Sequence, residues 1–177
     1  MKKIILIYGM IAGAIVGAML MITMSLYESG TLKFDNGEWL GYTTMVIALS
    51  MVFFGVKSYR DNYLGGSITF GNALKVGLLI TLIAALMYAF SWEITRSNMK
   101  NDFLTQYQEK HIEKMKAAGA TEEALVEAKK KNEEFAEMYK NPFIRFSMTL
   151  MEIAPVGILI SLFSATLLRR KNFLPTT

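Results

Sequence analysis

Charge is nearly absent from long stretches of this chain, at Ile4–Tyr27, Leu40–Val56, Leu74–Trp92 and Phe143–Leu168. Such runs constrain folding more than any motif here, because about 20 apolar residues in a helix match the hydrocarbon core of a bilayer. Within lipid a helix is the one open segment that satisfies its own backbone polar groups. The sequence therefore reads as an all-α membrane protein with four transmembrane helices, at about 4–27, 40–56, 70–95 and 142–168, in a single domain over residues 1–177. Residues 96–141, the one substantial polar segment, read as an extramembrane helical hairpin inserted between the third and fourth spans. A hydrophobic content of 53% is too high for a single small soluble domain, whose surface needs charge.

Lys2 and Lys3 precede the first run as they would in a signal peptide, but the run continues to Tyr27, beyond an h-region of about 7–15 residues. Its Ala-Gly-Ala at 12–14 is too early for cleavage, so the segment is expected to stay as a helix. The absence of cysteine excludes disulfides, thiolate metal sites and thiol catalysis. Basic residues beside the ends of the runs (Lys2, Lys3, Lys57, Arg60, Lys75, Arg169, Arg170 and Lys171, against Asp61) place both termini in the cytoplasm of a multi-pass membrane protein. Lys33 and the dispersed cations of the 93–145 segment count the other way. Tyr27, Trp39 and Trp92 then share the outer interface, as an aromatic belt does. The net charge of +4 is assigned to anionic headgroups; no basic surface with interleaved aromatics speaks for nucleic acid.

The polar segment has no proline before Pro142 and breaks at Ala-Ala-Gly-Ala-Thr. Its arms, Asn98–Ala118 and Thr121–Lys140, are each about 30 Å long as helices and are expected to prolong the third and fourth spans out of the membrane. Thr121 is placed to cap the second arm, with Glu122 and Glu123 at its positive dipole end. Leu104, Gln108, His111 and Met115 recur at helical spacing on one arm, and Leu125, Ala128, Asn132, Phe135 and Tyr139 on the other. His111 at that seam reads as a packing residue, since a metal site needs several convergent donors. Residues 98–140 are also the segment through which an envelope protein partner would bind, with Leu125, Phe135 and Tyr139 as its surface.

"YGMIAGAIVGAML" sets Gly9, Gly13 and Gly17 four apart on one side of the first helix, where absent side chains let another backbone approach. A homo-oligomer through this face and packing within the chain are both open. The internal contact is preferred, with Gly77 and Thr81 as its receiver. In "IRFSMTLMEIAPVGILISLFSATLLRRK", Glu152 lies well inside the apolar span, where a carboxylate is costly without a partner. Arg145 and Thr149 stand seven and three residues earlier on broadly the same face, and Pro155 leaves the Met151 carbonyl without its helical donor. Glu152, Arg145, Thr149 and Pro155 therefore form the candidate intramembrane polar site, which resembles at low specificity the broken-helix sites of transporters. In "KSYRDNYLGGSITFGNALKVG" the glycines at 66 and 71 have P-loop spacing, but Asn72 and Ala73 stand where Lys and Ser/Thr are required. There Ser67 is expected to cap the third helix, and Arg60 to face headgroups. No catalytic constellation, cofactor site or metal cluster is discernible.

The ordered segments "YGMIAG", "YRDNYLGGSITFGNALKVG" and "EIAPVGILISLFSATLLRRK" resemble those of a family of small bacterial membrane proteins known as domain of unknown function 4199, found mainly in the Bacteroidota. The resemblance spans nearly the whole chain and implies a four-helix integral protein of the bacterial inner membrane, with no activity and no site residues. Two functions stay open. One is a non-enzymatic scaffold or accessory subunit presenting the hairpin to a partner; the other is a small proton- or ion-coupled transporter or channel centred on Glu152.

Overall fold

The structure is a computed structural model and describes residues 1–32, 37–99, 103–170 and 173–174. Six helices follow in order: α1 (Lys2–Glu28), α2 (Gly37–Tyr63), α3 (Phe70–Asn98), α4 (Phe103–Ala117), α5 (Glu122–Lys140) and α6 (Pro142–Leu168). Four of them (α1, Trp39–Tyr63 within α2, α3 and α6) are long and apolar enough to cross a membrane. At 27 residues, α1 is about 40 Å long, against a hydrocarbon thickness of about 30 Å. Lys33, Lys171 and residues 100–102 of the expected first arm lie outside the described residues.

Local chemistry explains the helix ends. Asn141 caps α6, its Oδ1 accepting the Phe143 N–H at 2.9 Å, and Pro142 occupies the first helical position, where its missing donor costs nothing. Thr121 caps α5 by accepting from the Ala124 N–H at 3.3 Å, with Glu122 and Glu123 in the first turn. The cap of α3 is Thr69, not Ser67: its hydroxyl accepts from the Asn72 N–H at 3.4 Å. The second span does not stop at the edge of its apolar run. It continues to Tyr63, because Lys57 and Asp61 pair across one turn at 2.5 Å, and the turn after it uses Gly65 and Gly66 at φ +61° and +84°.

The long helices run alternately up and down. α1 lies parallel to α3, since Gly9 meets Ile83, Gly13 meets Met87 and Gly17 meets Ser91. A Cβ on Gly9 or Gly13 would fall 2.7 Å from the Cβ of Ile83 or Met87, so the glycines let these two helices approach. The receiver of the stripe is thus Ile83, Met87 and Ser91, not Gly77 and Thr81. Those two belong to the antiparallel α3–α6 contact, where Gly77 packs on Ser161 and Thr81 on Gly157. Thr81 donates to the Gly157 carbonyl at 3.4 Å and lies 3.3 Å from the Ser161 hydroxyl. Ala48, Leu49, Val52, Ile80, Ala84 and Ile153, all fully buried, plug the middle of the bundle. Large apolar side chains such as Ile47, Leu82, Phe90, Met151 and Phe163 cover its outside, the inverse of a water-soluble surface.

At the end of the bundle that holds the α2–α3 turn, Arg60 departs from expectation. It is fully buried rather than facing headgroups. Its Nε donates to Asp61 at 2.6 Å, and its Nη1 and Nη2 donate to the carbonyls of Phe173 and Leu174 at 2.8 and 2.6 Å. The guanidinium fork finds carbonyls left over where the chain leaves α6, so it ties that chain end to α2.

α4 and α5 are separate helices, not extensions of α3 and α6. Met99 closes α3 in an extended conformation, and Asn141 interrupts the chain between α5 and α6 at φ −72°, ψ +117°, the conformation a residue before proline prefers. They contact one another through Gln108, whose Nε2 donates to the Asn132 carbonyl at 3.0 Å, and turn at Gly119, φ +79°. Among the described residues, Ile112 and Leu125 are the buried apolar side chains of this pair. His111 is exposed, one position round from the seam expected for it.

Candidate functional site

Between the four long helices, at the end where α4 and α5 lie, is a partly open chamber of about 1160 Å³. Its walls come from the last half of α1, the start of α2, the last three turns of α3 and the second and third turns of α6. Thioethers and aromatic rings dominate the lining, with Met19, Met24, Met45 and Met148 beside Tyr27, Tyr42, Tyr88 and Trp92. Gln108 and His111 of α4, with Asn132, Phe135 and Tyr139 of α5, form its roof.

Glu152 reaches this space from α6. It stands ten residues into the helix, about 15 Å along its axis, and its side chain is accessible, lining the chamber. Its partner is the Tyr88 hydroxyl, which donates to Oε2 at 3.3 Å. Among the described residues no cation lies within salt-bridge distance of it.

The expected partner, Arg145, is engaged elsewhere. Its Nε and Nη2 grip both oxygens of Glu93 on α3 at 2.7 and 2.6 Å, and its Nη1 donates to the Tyr139 carbonyl at 2.9 Å. The guanidinium carbon lies 5.6 Å from the centre of the Tyr139 ring. Seven residues of helix separate Arg145 from Glu152, whereas α3 runs antiparallel beside α6 and brings Glu93 level with Arg145. The planar fork takes the carboxylate it can meet bidentately. Thr149 turns back onto its own helix, donating to the Arg145 carbonyl at 3.0 Å. Pro155 is exposed inside an unbroken α6, so the four residues grouped from the sequence do not converge; Glu152 and Thr149 share the chamber wall.

The roof is fastened by the same group of residues. Trp92 donates from Nε1 to the Tyr139 hydroxyl at 2.6 Å, and the Phe135 ring stacks on Tyr139 at 5.5 Å. Burial pushes the Tyr139 hydroxyl above its ordinary titration range, against the Trp92 hydrogen bond and the charge of Arg145, which act the other way. Leu125 is buried, while Phe135 and Tyr139 face the chamber. The surface expected to receive an envelope partner is therefore turned inward, because these seam residues find apolar cover within the chain. Of the expected aromatic belt, Trp39 is exposed, whereas Tyr27 and Trp92 line the chamber.

Sequence reasoning missed Tyr88, Trp92 and Glu93 as functional neighbours. Their signal was a polar cluster at the end of an apolar run, which reads equally as an interface belt. Among the described residues no group of three or more His, Cys, Asp or Glu side chains converges to hold a metal ion.

A family model described as "Protein of unknown function (DUF4199)" matches residues 7–170, and the chain belongs to this family. No curated protein and no solved structure matches it.

Proposed function

Starting from membership in a family with no assigned activity, we propose that this chain is a non-enzymatic protein of the bacterial inner membrane that holds a small molecule in the chamber beneath α4 and α5. The observation that carries this reading is a chamber of about 1160 Å³, larger than the roughly 300–1,000 Å³ of ordinary small-molecule sites, ending on a carboxylate that its own helix does not neutralise. The fully buried residues beyond it, Leu49, Val52 and Ile80 among them, favour a dead-ended receptacle over an open pore. Movement of a ligand across the membrane through Glu152 then requires the bundle to rearrange.

The test uses the absence of cysteine in the chain. In lipid nanodiscs, a membrane-impermeant methanethiosulfonate reagent is expected to modify Met148→Cys, on the chamber wall, and to leave Leu49→Cys, in the plug, untouched. Equal reaction at both sites, or none at either, defeats the receptacle.

The scaffold reading keeps one supporting observation. Val126 and Met138 are exposed on α5 at 64% and 47%, among ion pairs such as Glu127–Lys131 and Glu137–Lys140. An envelope partner bound through residues 98–140 would meet α5 at these exposed side chains. Val126→Glu with Met138→Glu is expected to abolish such capture without changing thiol reactivity at position 148. Cytoplasmic termini predict that Lys3→Cys and Asn62→Cys label from one side of the membrane and Lys116→Cys from the other.

A further inference from the structure

The lining of the chamber carries a statement about ligand class, one that rests on the receptacle reading above. Glu152 lacks a cationic partner among the described residues, since Arg145 is spent on Glu93, and the one hydrogen bond it receives, from Tyr88, is long at 3.3 Å. A carboxylate about 15 Å down a membrane helix is stabilised by whatever brings a positive charge to it.

The space is also far larger than a bare cation or a proton needs. Its methionines, Met45 and Met148 among them, are flexible and polarisable and pack against bodies of varied shape. The rings of Trp92 and Phe135 add apolar surface to the same wall. Arg96 also lines the chamber, two turns beyond Tyr88 and about 12 Å along α3, so a second positive charge at that end of a ligand is opposed.

We infer that the chamber takes an amphipathic organic monocation, with its charged head against Glu152 and Tyr88 and its apolar body along the methionine and aromatic wall.

The probe is tetraphenylphosphonium, titrated into protein in phosphatidylcholine nanodiscs, with empty discs subtracted. The chain has two tryptophans, and Trp39→Phe leaves Trp92, on the chamber wall, as the reporter. Saturable change in its emission is expected with tetraphenylphosphonium and not with tetraphenylborate, the same shape with opposite charge. Glu152→Gln should weaken the cation at least tenfold, and Glu152→Asp should retain it within about threefold. Equal binding of the two isosteres to the unaltered site overturns the inference even if Glu152→Gln does not fold. So does quenching of Trp92 by bromine-labelled acyl chains that tetraphenylphosphonium leaves undiminished, which would mean that a lipid tail fills the chamber. If Met148→Cys still reacts in either case, the receptacle stands and only the ligand class is wrong. If Met148→Cys is unreactive, the chamber reading falls and the inference falls with it.

Discussion

Replacing Arg145 with alanine should undock α5 from the bundle while leaving the long helices in place. The guanidinium makes two hydrogen bonds to Glu93 and one to the Tyr139 carbonyl, so a single side chain joins α3, α5 and α6. Its side chain is 8% exposed and that of Glu93 is 28% exposed. Charge-assisted bonds contribute about 1.5–3 kcal/mol each, and breaking a fully buried pair costs about 3–5 kcal/mol. Glu93 can rehydrate through its open edge, so the expected loss is smaller, about 2–3 kcal/mol. That corresponds to roughly 30–150-fold faster hydrogen exchange in α5, read peptide by peptide in nanodiscs. A double-mutant cycle of Arg145→Ala with Glu93→Gln isolates the pair from the Tyr139 bond. A coupling energy below about 0.5 kcal/mol, or α5 exchange that does not change in Arg145→Ala, refutes the view that this ion pair fastens the roof.

Gly13→Leu should force α1 and α3 apart, because even its Cβ would lie 2.7 Å from that of Met87; the expected loss of about 1–3 kcal/mol shows as a lower unfolding temperature. Gly41→Ala, with nothing within 4 Å, should be neutral or stabilising in the same assay. Arg60→Met should release the chain end after α6, since two carbonyls lose their donor, and spin labels at Phe173→Cys should report greater mobility than in the parent. Tyr139→Phe should lose about 1 kcal/mol of roof docking and shift Trp92 emission. Because the folded Tyr139 hydroxyl resists ionisation, its contribution is fully present below the ordinary tyrosine value of about 10 and is lost as pH climbs through the folded one. Exchange in α5, corrected for its intrinsic base catalysis, should therefore be protected evenly up to about pH 10 and accelerate from there to the folded value, and Tyr139→Phe should remove this alkaline limb.

The long helices were legible because membrane burial is a property of each segment alone: a run either lacks charge over the needed length or it does not. Pro142, Asn141 and Thr121 are equally local, since a cap acts within three residues of itself. The α5 face of Leu125, Asn132, Phe135 and Tyr139 was legible from its spacing too, though spacing could not say that these residues would be covered by the chain itself.

What only the tertiary structure decided is which partner each polar group takes. Arg145 had Glu152 seven residues away on its own helix and Glu93 fifty-two residues away in sequence, and it binds Glu93 because antiparallel α3 sets that carboxylate level with the guanidinium. Arg60 read as a headgroup contact until the carbonyls of Phe173 and Leu174 were brought to it. The chamber exists in no single segment, because it is the volume left where four helices and a roof fail to fill the space between them. Sequence thus fixes which segments shun water, while the choice among polar partners, and the empty volume beside them, depends on distances that only folding creates.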